Sequence, residues 1–278
     1  MAPLAHTLAL LAMTVATAAI EVKPLDMAQD SFDDRYQGCG PAMTAALPAL
    51  NRSDFQKNPL FAQVWPNAAA EWQRRAPLFS ILSSQAQATA IMACTMNDLH
   101  KEFNNAVHVA GRSPQEYQDN FQYKTLHFLL TQALGTLRDI RGPQCYNVFR
   151  VVCGVQFKAQ RGDIVRFGRF SWASLSKRTA QCFGTDTAFQ VHTCHGVDIR
   201  EFSVYPGEKE MLIPPFETFE VTQVTQKGNK VQIQLRSNGN YSKYNCEWLQ
   251  GGSIPRSPFH LGGLLLATTA LAVATGIL

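Results

Sequence analysis

An α+β fold is predicted, on three observations. Residues 27 to 140 read mostly as helix, with apolar residues recurring at helical spacing. From Cys145 the period changes to two, the alternation of a half-buried strand. The two regimes are also not interleaved: a run of helices is followed by a run of strands, which argues against repeated βαβ units.

In the helical half, Ser113-Pro114-Gln115-Glu116 places a serine at an N-cap, a proline at the first helical position and a glutamate at the capping-box position. From Thr125 the chain runs through Leu126, Leu129, Leu130, Ala133, Leu134 and Leu137, a single apolar stripe that ends near Gly142-Pro143. Ala86 to Val109 is helical in part, and Pro66 and Pro77 interrupt the stretch between Phe55 and Leu82. The strand candidates are Val148 to Phe157, Val165 to Ser171, Phe189 to Cys194, Ile199 to Tyr205, Phe219 to Val224 and Val231 to Leu235. Lys227-Gly228-Asn229 marks a turn between the last two. Glu201 to Val221 reads as strand, Pro206-Gly207 turn, strand, Pro214-Pro215 break and strand.

Composition narrows the class. A net charge of +4, with no Lys/Arg run interleaved with aromatics, argues against a nucleic-acid partner. Residues 1–19 have the form of a secretory signal: an apolar run from Leu8 to Val15 leads into the small residues Ala16-Thr17-Ala18-Ala19. After Arg256 there is no charged residue, and Leu261 to Leu278 is apolar. With the small residues Gly251-Gly252-Ser253 before it, this is the pattern of a glycolipid-anchor signal, a retained span being the alternative. Either places the globular part outside the cell. The expected division is signal 1–19, folded domain 20–250 (mainly helical over 20–143, sheet over 144–250) and anchor signal or hydrophobic tail 251–278. Seven cysteines suit an oxidising compartment, their odd number leaving one thiol unpaired or intermolecular. Asn51-Arg52-Ser53 and Asn240-Tyr241-Ser242 are N-glycosylation acceptors.

The chemistry-bearing stretch is Glu208-Lys209-Glu210, directly before the apolar Met211-Leu212-Ile213. Residues two apart on a strand share a face, so both carboxylates would look into one space. Taken alone, such a triplet is usually a solvated strand edge. His100, His108 and His127 read as surface or internally satisfied histidines. His192, Cys194 and His195 lack a second ligand cluster, so no metal is predicted.

Glu208-Lys-Glu-Met-Leu-Ile-Pro-Pro-Phe-Glu217 resembles the Glu-x-Glu segment of the vertebrate arginine-specific mono-ADP-ribosyltransferases, and the resemblance extends from about Leu25 to Leu249. It implies a helical N-terminal part packed on a two-sheet β-sandwich, with NAD or NADP as substrate in the cleft between sheets. By resemblance, Glu210 stabilises the ribosyl cation formed as nicotinamide leaves, and Glu208 engages the acceptor guanidinium of an arginine-containing protein. Arg150 binds the phosphates of the dinucleotide, and Ser203 is retained from the same site. Ser174 matches the second serine of the family's Ser-x-Ser-Leu motif. Disulfides Cys39–Cys246 and Cys145–Cys194 are implied, leaving Cys94, Cys153 and Cys182 outside the family pattern. Four positions depart from it. Cys94 stands at a family Tyr that contacts the substrate, Arg169 at a Gln, Trp172 at the catalytic Ser, and Val151 at a Gly. Ser171 comes one residue early and falls on the other face of its strand. If Gly is required for a positive φ or for close approach, Val151 strains the backbone. The leading expectation is an extracellular, monomeric, NAD(P)-dependent arginine ADP-ribosyltransferase, held to the membrane by a glycolipid. A catalytically silent cell-surface binding module on the same fold is the alternative, motivated by Trp172 and Val151.

Overall fold

The computed structural model describes residues 21–75, 80–82, 84–177, 186–206 and 210–251. The signal and anchor segments, Pro77, Cys182, Gly207 and Glu208 lie outside the described residues. A short strand β1 (Glu21–Pro24) precedes six helices: α1 (Gly40–Lys57), α2 (Pro59–Arg75), α3 (Gln85–Cys94), α4 (Asn97–Ala110), α5 (Pro114–Asn120) and α6 (Lys124–Arg141). Strands follow: β2 (Tyr146–Cys153), β3 (Val155–Lys158), β4 (Ile164–Val165), β5 (Ser171–Ser174), β6 (Asp186–Thr193), β7 (Val197–Asp198), β8 (Glu210–Ile213), β9 (Glu217–Lys227) and β10 (Lys230–Asn240). Helix α7 (Glu247–Gly251) ends the described chain.

Ser113 caps α5 as its sequence demands, its hydroxyl accepting from the Glu116 N–H at 3.0 Å. The stripe of α6 is buried from Leu126 to Leu137 against α1 and α3. His127 is internally satisfied: Tyr36 Oη lies 2.8 Å from Nδ1 and the Phe32 carbonyl 3.3 Å from Nε2, and burial lowers the imidazole pKa to about 3. Pro66 does not interrupt the chain as expected, because α2 runs through it. The hydrogen bond lost there is offset by the burial of Phe61, Ala68 and Trp72 on one face.

β1 pairs with β3; the other strands form one mixed sheet in the order β4-β9-β10-β6-β2-β5-β8-β7. The two expected sheets are recognisable as its halves, since β2 and β5 meet only at the single pair Phe149–Ser174. One half packs its inner face as a core of Val148, Phe189, Val191, Phe219 and Ile233, while Leu212 and Val197 join the helical core. Three strand expectations are corrected. Val148 to Phe157 is split into β2 and β3 by Gly154, whose φ is +76°. Val165 to Ser171 is strand only at its ends, because Gly168 at φ +61° turns the chain against Ala28 and Ser31, where a Cβ would lie 2.4 Å from their side chains. Ile199 to Tyr205 is a 3₁₀ turn over Arg200–Phe202. There Asp198 Oδ1 accepts from the Arg200 N–H at 3.0 Å, and Ser203 Oγ from the Tyr205 N–H at 3.0 Å; these local bonds outcompete a ladder.

Consecutive acids close the molecule. Asp33 and Asp34 are fully buried. Asp33 pairs with Arg166 at 2.5 Å and accepts the backbone N–H groups of Lys243 and Tyr244 at 2.8 and 3.1 Å. Asp34 accepts those of Tyr36, Cys246 and Glu247 at 2.7 to 2.9 Å. The implied disulfides Cys39–Cys246 and Cys145–Cys194 are both present, the first beside this clasp. Cys153 is also disulfide-bonded, its partner lying outside the described residues.

Candidate active site

The single pair joining the two halves of the sheet lies at a cavity of about 340 Å³, within the range of roughly 300–1,000 Å³ usual for small-molecule sites. Its walls include Arg150, Val151, Trp172, Ser174, Lys177 and Glu210. Cross-strand register sets which side chains look in. On β5 and β8, Trp172 opposes Leu212 and Ser174 opposes Glu210, so these four share a face. Ser171 opposes Ile213 and faces the other way, as the alternation requires; its hydroxyl donates to the Arg169 carbonyl at 3.2 Å.

Glu210 opens β8. Its carbonyl accepts the Ile199 N–H at 3.1 Å, and its Oε2 accepts a short hydrogen bond from Ser203 Oγ. Ser203 is buried and is not on the cavity wall; it reaches the site through Glu210. The 3₁₀ segment carrying Ser203 is clamped from the helical half. Arg75 Nη1 donates to the Ser203 and Val204 carbonyls at 3.1 and 3.4 Å. Thr95 Oγ1 accepts the Val204 N–H at 3.1 Å, and Trp72 stacks on Phe202 at 5.2 Å. Glu71 holds Arg75 from the same helix.

Arg150 Nη1 donates to the Trp172 carbonyl at 2.8 Å, and the guanidinium lies 5.7 Å from the Phe167 ring centroid. Its Nε is buried with no hydrogen-bond partner among the described residues. Burial, with a smaller contribution from Arg169, lowers its pKa to about 10, which leaves it cationic at neutral pH. A desolvated cation with a donor to spare is matched to an anion.

The altered positions resolve differently. Val151 lies in the β2–β6 ladder opposite Ala188 and is not among the residues with positive φ, so the expected strain is absent. Trp172 is half-buried on the cavity wall, its ring edge-on to His100 at 4.3 Å. Cys94 is wholly buried in the helical core and not on the cavity wall. A thiol is too short to reach out from where a tyrosine could, and burial raises its pKa. Arg169 lines a neighbouring cavity that also includes Arg150. Sequence reasoning missed Lys177, Gln190 and Gln232 on the wall, and Arg75 and His100 behind it; strand alternation carries the only trace of Gln190 and Gln232. The close trio Cys145, His192 and Cys194 is no thiolate site, because the disulfide consumes both sulfurs, and His192 Nδ1 lies 2.9 Å from Asn147 Oδ1.

The family profile described as NAD:arginine ADP-ribosyltransferase matches residues 25–243. The chain belongs to this family. It is 50% identical over 229 residues to the erythroblast NAD(P)(+)--arginine ADP-ribosyltransferase of Gallus gallus, covering 81% of this chain and 76% of that one. To the GPI-linked NAD(P)(+)--arginine ADP-ribosyltransferase 1 of Oryctolagus cuniculus it is 44% identical over 272 residues, covering 92% and 83%. The crystal structure of the eucaryotic mono-ADP-ribosyltransferase ART2.2 superimposes with a TM-score of 0.69 at 32% identity, covering 81% of this chain and 98% of that one. A variant of ART2.2 has been solved in complex with NAD, the substrate of the family. The residues present here fit it: Arg150 has no acid partner among the described residues and suits a diphosphate, and Glu210, held by Ser203, suits a developing cation.

Proposed function

We propose that this chain transfers ADP-ribose from NAD, or NADP, to arginine side chains of extracellular or cell-surface proteins and releases nicotinamide. One observation carries it: Glu210, fixed by Ser203, and the desolvated Arg150 stand on the wall of one cavity. The glycosidic bond to nicotinamide breaks with its electron pair leaving on the ring nitrogen, so the leaving group is neutral and no general acid is needed. Positive charge develops on the ribose, where the Glu210 carboxylate offsets it. A guanidinium nitrogen of the acceptor forms the new bond to the same carbon and releases its proton to solvent. Glu208 holds that guanidinium by paired hydrogen bonds; Arg150 holds the phosphates. Among the described residues no helix is long and apolar enough to cross a membrane. The apolar patterns of residues 1–19 and 251–278 support a cleaved signal and a glycolipid anchor, and with them a place on the cell surface. Asn240, exposed at the end of β10, and Asn51, half-buried in α1, are its proposed glycan sites.

The test is label transfer from NAD to a free guanidino compound, with nicotinamide release measured alongside. Glu210→Gln keeps the size of the side chain and removes its charge, and both activities are expected to fall on the order of a hundredfold or more. Wild-type rates in a folded Glu210→Gln protein overturn the assignment. A second reading, a catalytically silent binding module, rests on the Trp172 ring at the cavity wall. It gains only if folded wild-type protein binds NAD and releases no nicotinamide.

A further inference from the structure

A second cavity, of about 270 Å³, adjoins the cleft and shares Arg150 and Phe189 with it. Arg169, His108 of α4 and Lys23 of β1 also line it. Three arginines face this space, and their surroundings differ. Arg166 is neutralised by Asp33, and its other donors go to the carbonyls of Met27, Ala28 and Tyr241. Arg169 is half-buried, yet among the described residues it has no ion pair and no side-chain hydrogen bond. Arg150 has no acid partner either, and its Nε is unpaired. Burial lowers the pKa of both, and Arg169 lowers that of Arg150 further. The one carboxylate on the wall, Asp26, is engaged by the Ala28 N–H at 2.8 Å, and Lys23 is paired with Glu21 on the exposed strand.

Two like charges drawn together and partly desolvated are costly unless an anion joins them. Among the described residues of this wall Asp26 is the only carboxylate, set against Arg150, Arg166 and Arg169. Phe157, Phe167 and Phe189 form an apolar floor, with ring centroids 5.4 to 5.6 Å apart, that lowers the local dielectric and strengthens any charge pairing above it. Planar guanidinium groups match phosphate oxygens in geometry as well as charge.

We propose that Arg150 and Arg169 form a two-arginine clamp for a phosphate group of the dinucleotide. The clamp rests on the transferase reading of the adjoining cleft. It makes Arg169 a second binding residue for the dinucleotide beside Arg150. The phosphate is either the diphosphate bridge or the extra phosphate on the adenosine ribose of NADP, and the two sources separate by experiment. Binding of inorganic pyrophosphate, NAD and NADP is measured by titration calorimetry on the wild type, Arg169→Gln and Arg169→Lys, with KM for each dinucleotide alongside. Thermal unfolding confirms that each variant is folded.

Arg169→Gln is expected to weaken pyrophosphate binding about tenfold, and Arg169→Lys less, since it keeps charge but loses the planar fork. If the diphosphate is held, NAD and NADP weaken alike in Arg169→Gln; if the additional phosphate is held, NADP weakens and NAD does not. Either pattern supports the clamp. It is overturned if Arg169→Gln binds all three probes as the wild type does, or if the wild type binds none. Binding is measured without turnover, so a clamp that binds in a protein without label transfer sinks the transferase reading and leaves the clamp standing.

Discussion

The clasp around Asp33 and the cleft around Arg150 each contain a desolvated arginine, and they treat it in opposite ways. In the clasp, Arg166 finds a carboxylate at 2.5 Å and three backbone carbonyls, and both aspartates are surrounded by N–H donors from residues 243–247. In the cleft, Arg150 has a single carbonyl, an unpaired Nε and a second arginine for a neighbour. A completed shell holds a fold together. An incomplete one, kept at a cost to stability, is what a ligand completes. Residue type is the same in the two places, and Arg166 is fully buried where Arg150 is half-buried, so the tally of partners, more than burial, tells structure from site.

The largest expected effect lies in the clasp. Asp33→Ala leaves Arg166 buried without a counter-charge, and loss of one partner of a buried pair costs roughly 3–5 kcal/mol. Chemical denaturation should show that loss, while the rate per folded molecule is preserved. A loss below about 1 kcal/mol would mean that Arg166 gains solvent or another acid, and the contrast between the regions would fail.

The mirror experiment is Arg150→Met. Methionine keeps much of the length and removes an uncompensated charge, so stability should hold or rise on the order of 1 kcal/mol. Charge-assisted hydrogen bonds contribute about 1.5–3 kcal/mol each, so dinucleotide binding should weaken at least about tenfold. Parallel loss of stability and binding would place Arg150 with Arg166 as a structural residue.

Trp172 tests the cleft from the other wall. Its indole can donate one hydrogen bond and accept none, and it stands two residues from Ser174, the partner of Glu210 in the β5–β8 ladder. Trp172→Ser is expected to raise label transfer about tenfold, by freeing space and offering an acceptor beside the reacting ribose. A slower Trp172→Ser protein would show that the ring, braced by His100, contributes to substrate binding.

Much of this contrast is hidden from the sequence, for a physical reason. The capped start of α5, the stripe of α6 and the alternation of β10 were legible because their causes lie within a few residues. Glu210 and Arg150 stand out in the sequence only because the segments around them resemble a family pattern. Asp33-Asp34 has no local signal: two adjacent acids read as surface, and the groups that bury them lie more than 130 residues away, at Arg166 and residues 243–247. The turn at Arg200–Phe202 was misread as strand because its apolar residues, Ile199 and Phe202, are buried at turn spacing. Arg75 was invisible because its role is a contact between halves of the chain.

Arg75 gives the smallest expected effect and the sharpest test of how far the helical half governs the cleft. It is partly exposed and ion-paired with Glu71 one turn away, an arrangement worth about 0–1 kcal/mol in stability. Its donors, however, end on the carbonyls of Ser203 and Val204, and Ser203 fixes the Glu210 carboxylate. Arg75→Ala removes that restraint and leaves Thr95 and the Trp72–Phe202 stack to hold the segment. Small displacements at a reacting centre lower the rate of the chemical step, so kcat should fall roughly threefold to tenfold. KM for NAD should change little, because the donors of Arg75 end on Ser203 and Val204 and not on Arg150 or Arg169, the proposed phosphate ligands, and unfolding should shift by under about 1 kcal/mol. Arg75→Lys can reach one carbonyl but not both, and should recover part of the loss. A fall in kcat that tracks stability, with no recovery in Arg75→Lys, would reduce Arg75 to a packing residue. A rise in KM with kcat intact would place it on the substrate side of the cleft rather than behind Glu210.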